Sequence, residues 1–232
     1  MRKKVITGTV SLVALATLSL GLLTGFTAPV EDGMKYEVKI TNLTRGQPLS
    51  PVVIATHTRD LPALFAVGSP ASGELAAVAE DADNSGLLSL WDPAANTMVV
   101  GDLQTVTGSD GPIMPGETAS AIVEGGGAFR QISLVSMLVN TNDAFIALNA
   151  EALPRADTDV HWSPAYDAGS EANNEDCDFI PGPACGSAFM RDTADAEGYV
   201  HIHAGIHGIG ELDPVAYDWR NPVALIEIRH LP

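Results

Sequence analysis

Two carboxylates lie close together in the segment Tyr166-Asp167-Ala168-Gly169-Ser170-Glu171, and their spacing could serve a metal ion. Asp167 and Glu171 are four residues apart, and Gly169 between them allows the chain to bend sharply. A run rich in Asp, Glu and Asn follows, and Asp143 stands at the end of an apolar run upstream. Oxygen donors of this kind suit Ca²⁺, which takes about six to eight oxygen ligands. The alternative is a solvated acidic loop, which is common on protein surfaces.

Three histidines, His201, His203 and His207, form a second candidate metal site. In a strand, His201 and His203 would point to the same face, as two imidazoles that share a metal must. His207 could supply a third ligand. The alternative is two exposed histidines beside an acidic surface. The sequence has no Gly-x-Ser-x-Gly or His-Glu-x-x-His motif, so we predict no catalytic residue and a protein that is not an enzyme.

The charge balance limits the partners. The 232 residues include 12 Lys and Arg against 29 Asp and Glu, which gives a formal net charge of −17. Such a surface repels phosphate backbones, so we expect no nucleic-acid partner. The hydrophobic fraction of 46% is sufficient for the core of one domain.

The N-terminus has the layout of a secretory leader. The basic start Arg2-Lys3-Lys4 precedes a run from Val5 to Phe26 without a charged residue, followed by Ala28. This predicts a signal peptide over residues 1–28. Because the run is long and Phe26 fits a small-x-small cleavage site poorly, an uncleaved membrane anchor is the alternative. In both cases we expect a secreted, periplasmic or cell-surface protein.

Export makes the two cysteines informative. Cys177 and Cys185 are eight residues apart, and in an oxidising compartment such a pair predicts a local disulfide. The alternative, two thiols that bind a soft metal, lacks the partner spacing of a zinc site.

Short segments with β-type patterns predict most of the fold. They are Tyr36–Thr44, Pro51–Thr58, Thr97–Val100, Thr118–Val123, Gln131–Val139, Ala144–Leu148, Tyr199–His203 and Pro222–Arg229. One helix is predicted over Gly73–Asp81, with Ser72 as its cap. Many short strands with little helix favour an all-β antiparallel sandwich over residues 35–232.

Several of these segments together resemble the spondin N-terminal domain, a module of extracellular matrix proteins that also occurs alone in exported bacterial proteins. The residues that carry the resemblance are Tyr36–Thr44 with Gln47–Pro51, Glu74–Asp81, Asn140–Phe145, Tyr166–Glu171 and Asn221–Ala224. The resemblance covers roughly residues 35 to 230, and the Asp-Ala-Gly element is its most specific part.

The resemblance implies a C2-like β-sandwich that holds Ca²⁺ in loops at one end. The family's ligands fall on Asp143, Asp167 and Glu171. Glu171 departs from the family pattern, which has aspartate there, so the affinity of the site is open. The implied role is binding or adhesion through an extracellular or cell-surface ligand. The alternative from the residues is an exported metalloprotein or metal-dependent enzyme that uses the three histidines.

The first prediction concerns the leader. Because the basic start and the apolar run are typical of a cleaved signal peptide, exported protein should lack about 28 residues by intact mass. A full-length mass found in the membrane fraction would favour the uncleaved anchor instead.

Overall fold

The computed structural model describes residues 33–232, and the leader predicted over residues 1–28 lies outside them. The strands in the described residues are β1 (Met34–Asn42), β2 (Val52–His57), β3 (Val100–Val106), β4 (Thr118–Gly125), β5 (Gln131–Met137), β6 (Ala144–Ala152), β7 (Thr158–Ser163), β8 (Tyr166–Asp167), β9 (His201–Ile202) and β10 (Ala224–His230). The helices are α1 (Gly73–Asp81), α2 (Ser85–Leu90) and α3 (Pro214–Tyr217), and Cys177–Phe179 forms a 3₁₀ turn.

The strands form two antiparallel sheets, which confirms the predicted all-β sandwich. One sheet has the order β4-β1-β10-β7, and the other has the order β3-β2-β5-β6-β8-β9. In β1, the buried residues Tyr36, Val38 and Ile40 alternate with more exposed polar ones, because successive side chains of a strand point to opposite faces. This strand therefore presents one apolar face to the core and one polar face to solvent.

The central strands β2 and β5 of the six-stranded sheet are buried on both faces. One face of β2 and β5 contributes Ile54 and Leu134 to the core between the sheets. The other face contributes Val53 and Val135 to a second apolar cluster. Both strands consist entirely of buried residues, so their burial does not alternate along the chain.

Helix α1 covers the outer face of this sheet. Its residues Leu75 and Val78 are completely buried in the second cluster. The helix begins at Gly73 because the Ser72 side chain accepts a hydrogen bond from the Leu75 N–H, as predicted. Among residues 33–232, no helix combines the length and apolar character needed to cross a bilayer.

Strand pairing at one end of the six-stranded sheet brings the candidate ligands together. Strand β8 pairs with the start of β6, so that Asp167 lies opposite Ala144 and next to Asp143. Strand β9 pairs with β8 on its other side and places His201 opposite Asp167. The strand predicted over Tyr199–His203 is therefore present, but only two of its residues pair.

Cys177 and Cys185 form a disulfide, as predicted. The loop that the disulfide closes contains Ile180, which is completely buried in the main core. The covalent link and this apolar anchor fix the chain that directly follows the acidic run.

Asn42 organises the turn after β1. Its side chain is completely buried, and its amide nitrogen donates to the carbonyls of Gln47 (2.8 Å) and Ile113 (2.9 Å). Its amide oxygen accepts from the N–H (3.0 Å) and the hydroxyl (2.7 Å) of Thr44. Although Asn42-Leu43-Thr44 matches a glycosylation acceptor pattern, this amide is not accessible in the folded protein.

We expect Asn42→Ala to lower the free energy of unfolding by about 2–4 kcal/mol, because two buried carbonyls lose their donor. Chemical denaturation measures this change. Asn96→Ala is the matched control, because the Asn96 side chain donates an exposed hydrogen bond to Leu90 O (2.9 Å). Equal losses in both variants would contradict the assigned role of Asn42.

Candidate metal centre

Asp143 is completely buried directly before β6. Its Oδ2 accepts hydrogen bonds from the N–H groups of Ser170 (2.8 Å) and Glu171 (3.1 Å) and from the Ser170 hydroxyl (3.3 Å). Its Oδ1 has no hydrogen-bond donor among the described residues. A buried carboxylate oxygen without a partner is costly, so this atom needs a proton, a water or a cation.

Asp167 is also completely buried. Its Oδ1 accepts from the Gly169 N–H (2.7 Å), and its Oδ2 accepts from the Asn173 amide (2.6 Å). Gly169 has a φ of +65°, and a Cβ there would lie 2.3 Å from the carbonyl oxygen of Tyr199. Only glycine fits this bend, which explains why the Asp-Ala-Gly element needs a glycine at this position.

The two aspartates lie against each other. A protonated and an ionised carboxyl at these positions are close enough to share a hydrogen bond. Burial, together with the charge of Asp167, raises the pKa of Asp143 to about 7. Burial likewise raises the pKa of Asp167 to about 7. Ionising both groups is therefore unfavourable unless positive charge is supplied.

Glu171 is completely buried, but its carboxylate faces different neighbours. Its Oε1 accepts from the Asp192 N–H (2.8 Å), while Oε2 has no donor among residues 33–232. Burial, together with the charge of Glu80, raises the pKa of Glu171 to about 8. Arg191 pairs with Glu80 (2.6 Å) and with Asp81 (2.8 Å) at the end of α1.

The predicted ligands are thus only partly assembled. The structure brings Asp143 and Asp167 together and fixes the main chain of Glu171 against Asp143. The Glu171 side chain is held by Asp192 instead. In the part of the chain that the structure describes, no three His, Cys, Asp or Glu side chains form a ready-made metal cage.

Two further residues at this site were not predicted as ligands. The Asn173 amide nitrogen donates to Asp167 Oδ2 and also to Glu197 Oε1 (3.0 Å). Asn173 belongs to the polar run that the sequence indicates, whereas Glu197 comes from a separate loop. No motif or periodic pattern distinguishes Glu197 from the other acidic residues of that loop.

His201 and His203 both lie near Asp167, whereas their spacing predicted only that they share one face of a strand. His201 Nδ1 is 3.5 Å from Asp167 Oδ1, and His203 Nε2 is 3.8 Å from Asp167 Oδ2. His203 Nδ1 accepts from the Gly205 N–H (3.0 Å), so Nε2 carries the proton of the neutral ring. Burial lowers the pKa of His203 to about 3, which keeps the ring neutral.

His207 makes different contacts from this pair. Its ring contacts the carbonyl oxygen of Ala204 (3.2 Å), and its main-chain N–H donates to Glu175. The structure therefore does not direct the three imidazoles of the predicted histidine cluster toward one point.

Comparison with protein-family models found no matching family, and comparison with curated protein sequences found no matching protein.

The shifted carboxyl groups predict a pH effect on stability. Asp143, Asp167 and Glu171 have folded pKa values of about 7, 7 and 8, above the values of about 4 in an unfolded chain. Between pH 6.5 and 8, the folded state therefore holds protons that the unfolded state has lost, so stability falls as pH rises. The pKa of the buried His203 is lowered, so this residue changes the stability only below about pH 6.5, where its ring gains a proton in the unfolded chain but not in the folded one.

We therefore expect the melting temperature of chelator-treated protein to fall between pH 6.5 and pH 8. Asp143→Asn should reduce this fall, because it removes one of the titrating groups. A metal-free melting temperature that is constant or rises over this range in the wild type would contradict the assignment.

Proposed function

We propose that this chain is an exported, calcium-binding β-sandwich module of the spondin type, and that it acts in binding or adhesion at the cell surface or in the matrix rather than as an enzyme. Its ligands would be Asp143 and Asp167, with Glu171 as the third. The observation that carries the proposal is the buried Oδ1 of Asp143, which has no donor within residues 33–232 and lies beside a second buried carboxylate.

The chemistry of the donors favours a hard cation. The buried atoms without donors at this site are oxygens, and the two aspartates that face each other are fully enclosed. A proton would satisfy only one of these oxygens, whereas Ca²⁺ accepts several carboxylate and carbonyl ligands. Bound Ca²⁺ would supply the positive charge that offsets the repulsion between the carboxylates.

The disulfide supports an exported location, because such bonds persist mainly in oxidising compartments. The partner is an extracellular or cell-surface ligand of unknown identity. The resemblance to spondin domains suggests adhesion, but a fold shared by many proteins does not specify a partner.

The histidine-based metalloprotein has less support. His203 would have to lose the Nε2 proton that its contact with Gly205 N–H implies, and His207 faces Ala204 instead. We therefore propose that the metal binds the carboxylates of Asp143 and Asp167 rather than the histidines.

Calcium should raise the melting temperature of chelator-treated wild-type protein by about 5–10 °C. A ligand that binds only the folded state at a hundredfold excess over Kd contributes about 2.7 kcal/mol, and each kcal/mol corresponds to about 2–4 °C for a domain of this size. Differential scanning calorimetry with and without millimolar CaCl₂ measures the shift, and a chelator should reverse it.

Asp143→Asn should abolish this calcium shift and raise the metal-free melting temperature. The amide oxygen can still accept from Ser170 and Glu171, while the new NH₂ can donate to Asp167. Asp178→Asn is the control, because Asp178 is an exposed acid of the neighbouring loop. Absence of any calcium shift in the wild type would refute the proposed function.

A further inference from the structure

Glu197 is connected to the Asp143–Asp167 pair through one side chain. The single NH₂ group of Asn173 donates to Asp167 Oδ2 (2.6 Å) and to Glu197 Oε1 (3.0 Å). Two carboxylates therefore share one neutral amide. The remaining side-chain oxygens, Asn173 Oδ1 and Glu197 Oε2, are buried and have no donor among the residues that the structure describes.

These atoms extend the set of unsatisfied oxygens at one site. Asp143 Oδ1, Asn173 Oδ1 and Glu197 Oε2 are three of the buried side-chain atoms that lack a partner within residues 33–232. All three are acceptors. A buried water donates at most two hydrogen bonds, so one water cannot satisfy all of them. The residues that carry these atoms are connected through Asp167 and the Asn173 amide, and buried groups without a partner need an explanation.

The loop that carries Glu197 is fixed to the Asp167 segment by its main chain. The N–H of Gly198, the next residue, donates to the carbonyl of Gly169 (2.8 Å). Further back in this loop, the Asp192 N–H donates to Glu171. The backbone on both sides thus holds Glu197 beside the bend between Asp167 and Glu171.

The electrostatics agree with this placement. Burial is the largest cause of the raised pKa of both Asp143 and Asp167, and the charge of Glu197 raises the pKa of each further. Arg191, the cation of the same loop, pairs with Glu80 and Asp81 instead. Glu197 therefore adds negative charge to the aspartate pair.

We infer that Glu197 and the amide oxygen of Asn173 are additional ligands of the cation that Asp143 and Asp167 bind. This inference rests on the proposed function and extends it, because it gives the site a carboxylate from a third loop. Asp143, Asp167 and Glu197 would supply three carboxylates. Asn173 would supply one neutral oxygen, and this donor set suits Ca²⁺.

Isothermal titration of CaCl₂ into chelator-treated full-length protein tests the inference with Glu197→Gln. This variant keeps the shape and removes the charge, and we expect the Kd to rise about tenfold or more. Asp195→Asn is the matched control, because Asp195 is an exposed acid two residues away whose side chain lies in solvent. Its Kd should stay within about twofold of the wild type.

The outcomes separate the two proposals. If the wild type binds calcium and Glu197→Gln binds as tightly as Asp195→Asn, the assignment of Glu197 is wrong and the calcium site stands without it. If the wild type gives no binding heat and no melting shift, both proposals fall. If Glu197→Gln does not fold, Glu197→Asp decides: a weaker Kd supports the assignment, and an unchanged Kd overturns it.

Discussion

The burial of two facing carboxylates at one end of the six-stranded sheet is the constraint on which the site depends. Asp143 and Asp167 cannot move apart, because each adjoins or belongs to a paired strand: β6 starts at Ala144, and β8 contains Asp167. The apolar core and α1 fix this sheet from both sides. The cost of the buried charge therefore has to be met locally, by a proton or by a cation.

Glu175 shows that this chain can satisfy a buried carboxylate without an ion. Its side chain is nearly completely buried, and its two oxygens accept from the N–H groups of His207, Gly208 and Ile209. These contacts connect the acidic run to the histidine loop. Asp143 has comparable burial, but its Oδ1 lacks any such donor among the described residues. This difference separates a structural carboxylate from a candidate ligand.

The fold was predictable where a helix cap or an apolar run marks the element in the sequence. Ser72 and the helix formers after it predict α1 correctly, and the apolar run near Gln131 predicts a central strand. Strand β7 was missed, because it is a short edge strand with mostly exposed side chains at the start of a polar, turn-rich stretch of the sequence. The adjacency of Asp143 and Asp167 followed from the resemblance, whereas Glu197 comes from a long loop without a local signal.

Glu171 and Glu197 show that spacing in the sequence does not predict which further carboxylate lies beside Asp167. Glu171 has the expected spacing from Asp167, yet its longer side chain reaches the Asp192 N–H and the vicinity of Glu80. Glu197 has no spacing relation to Asp167, yet one amide joins their carboxylates. Ligand geometry in loops depends on main-chain contacts such as Gly198 to Gly169. A cation at this point would therefore connect loops from three parts of the sequence, and its binding energy would stabilise their mutual arrangement.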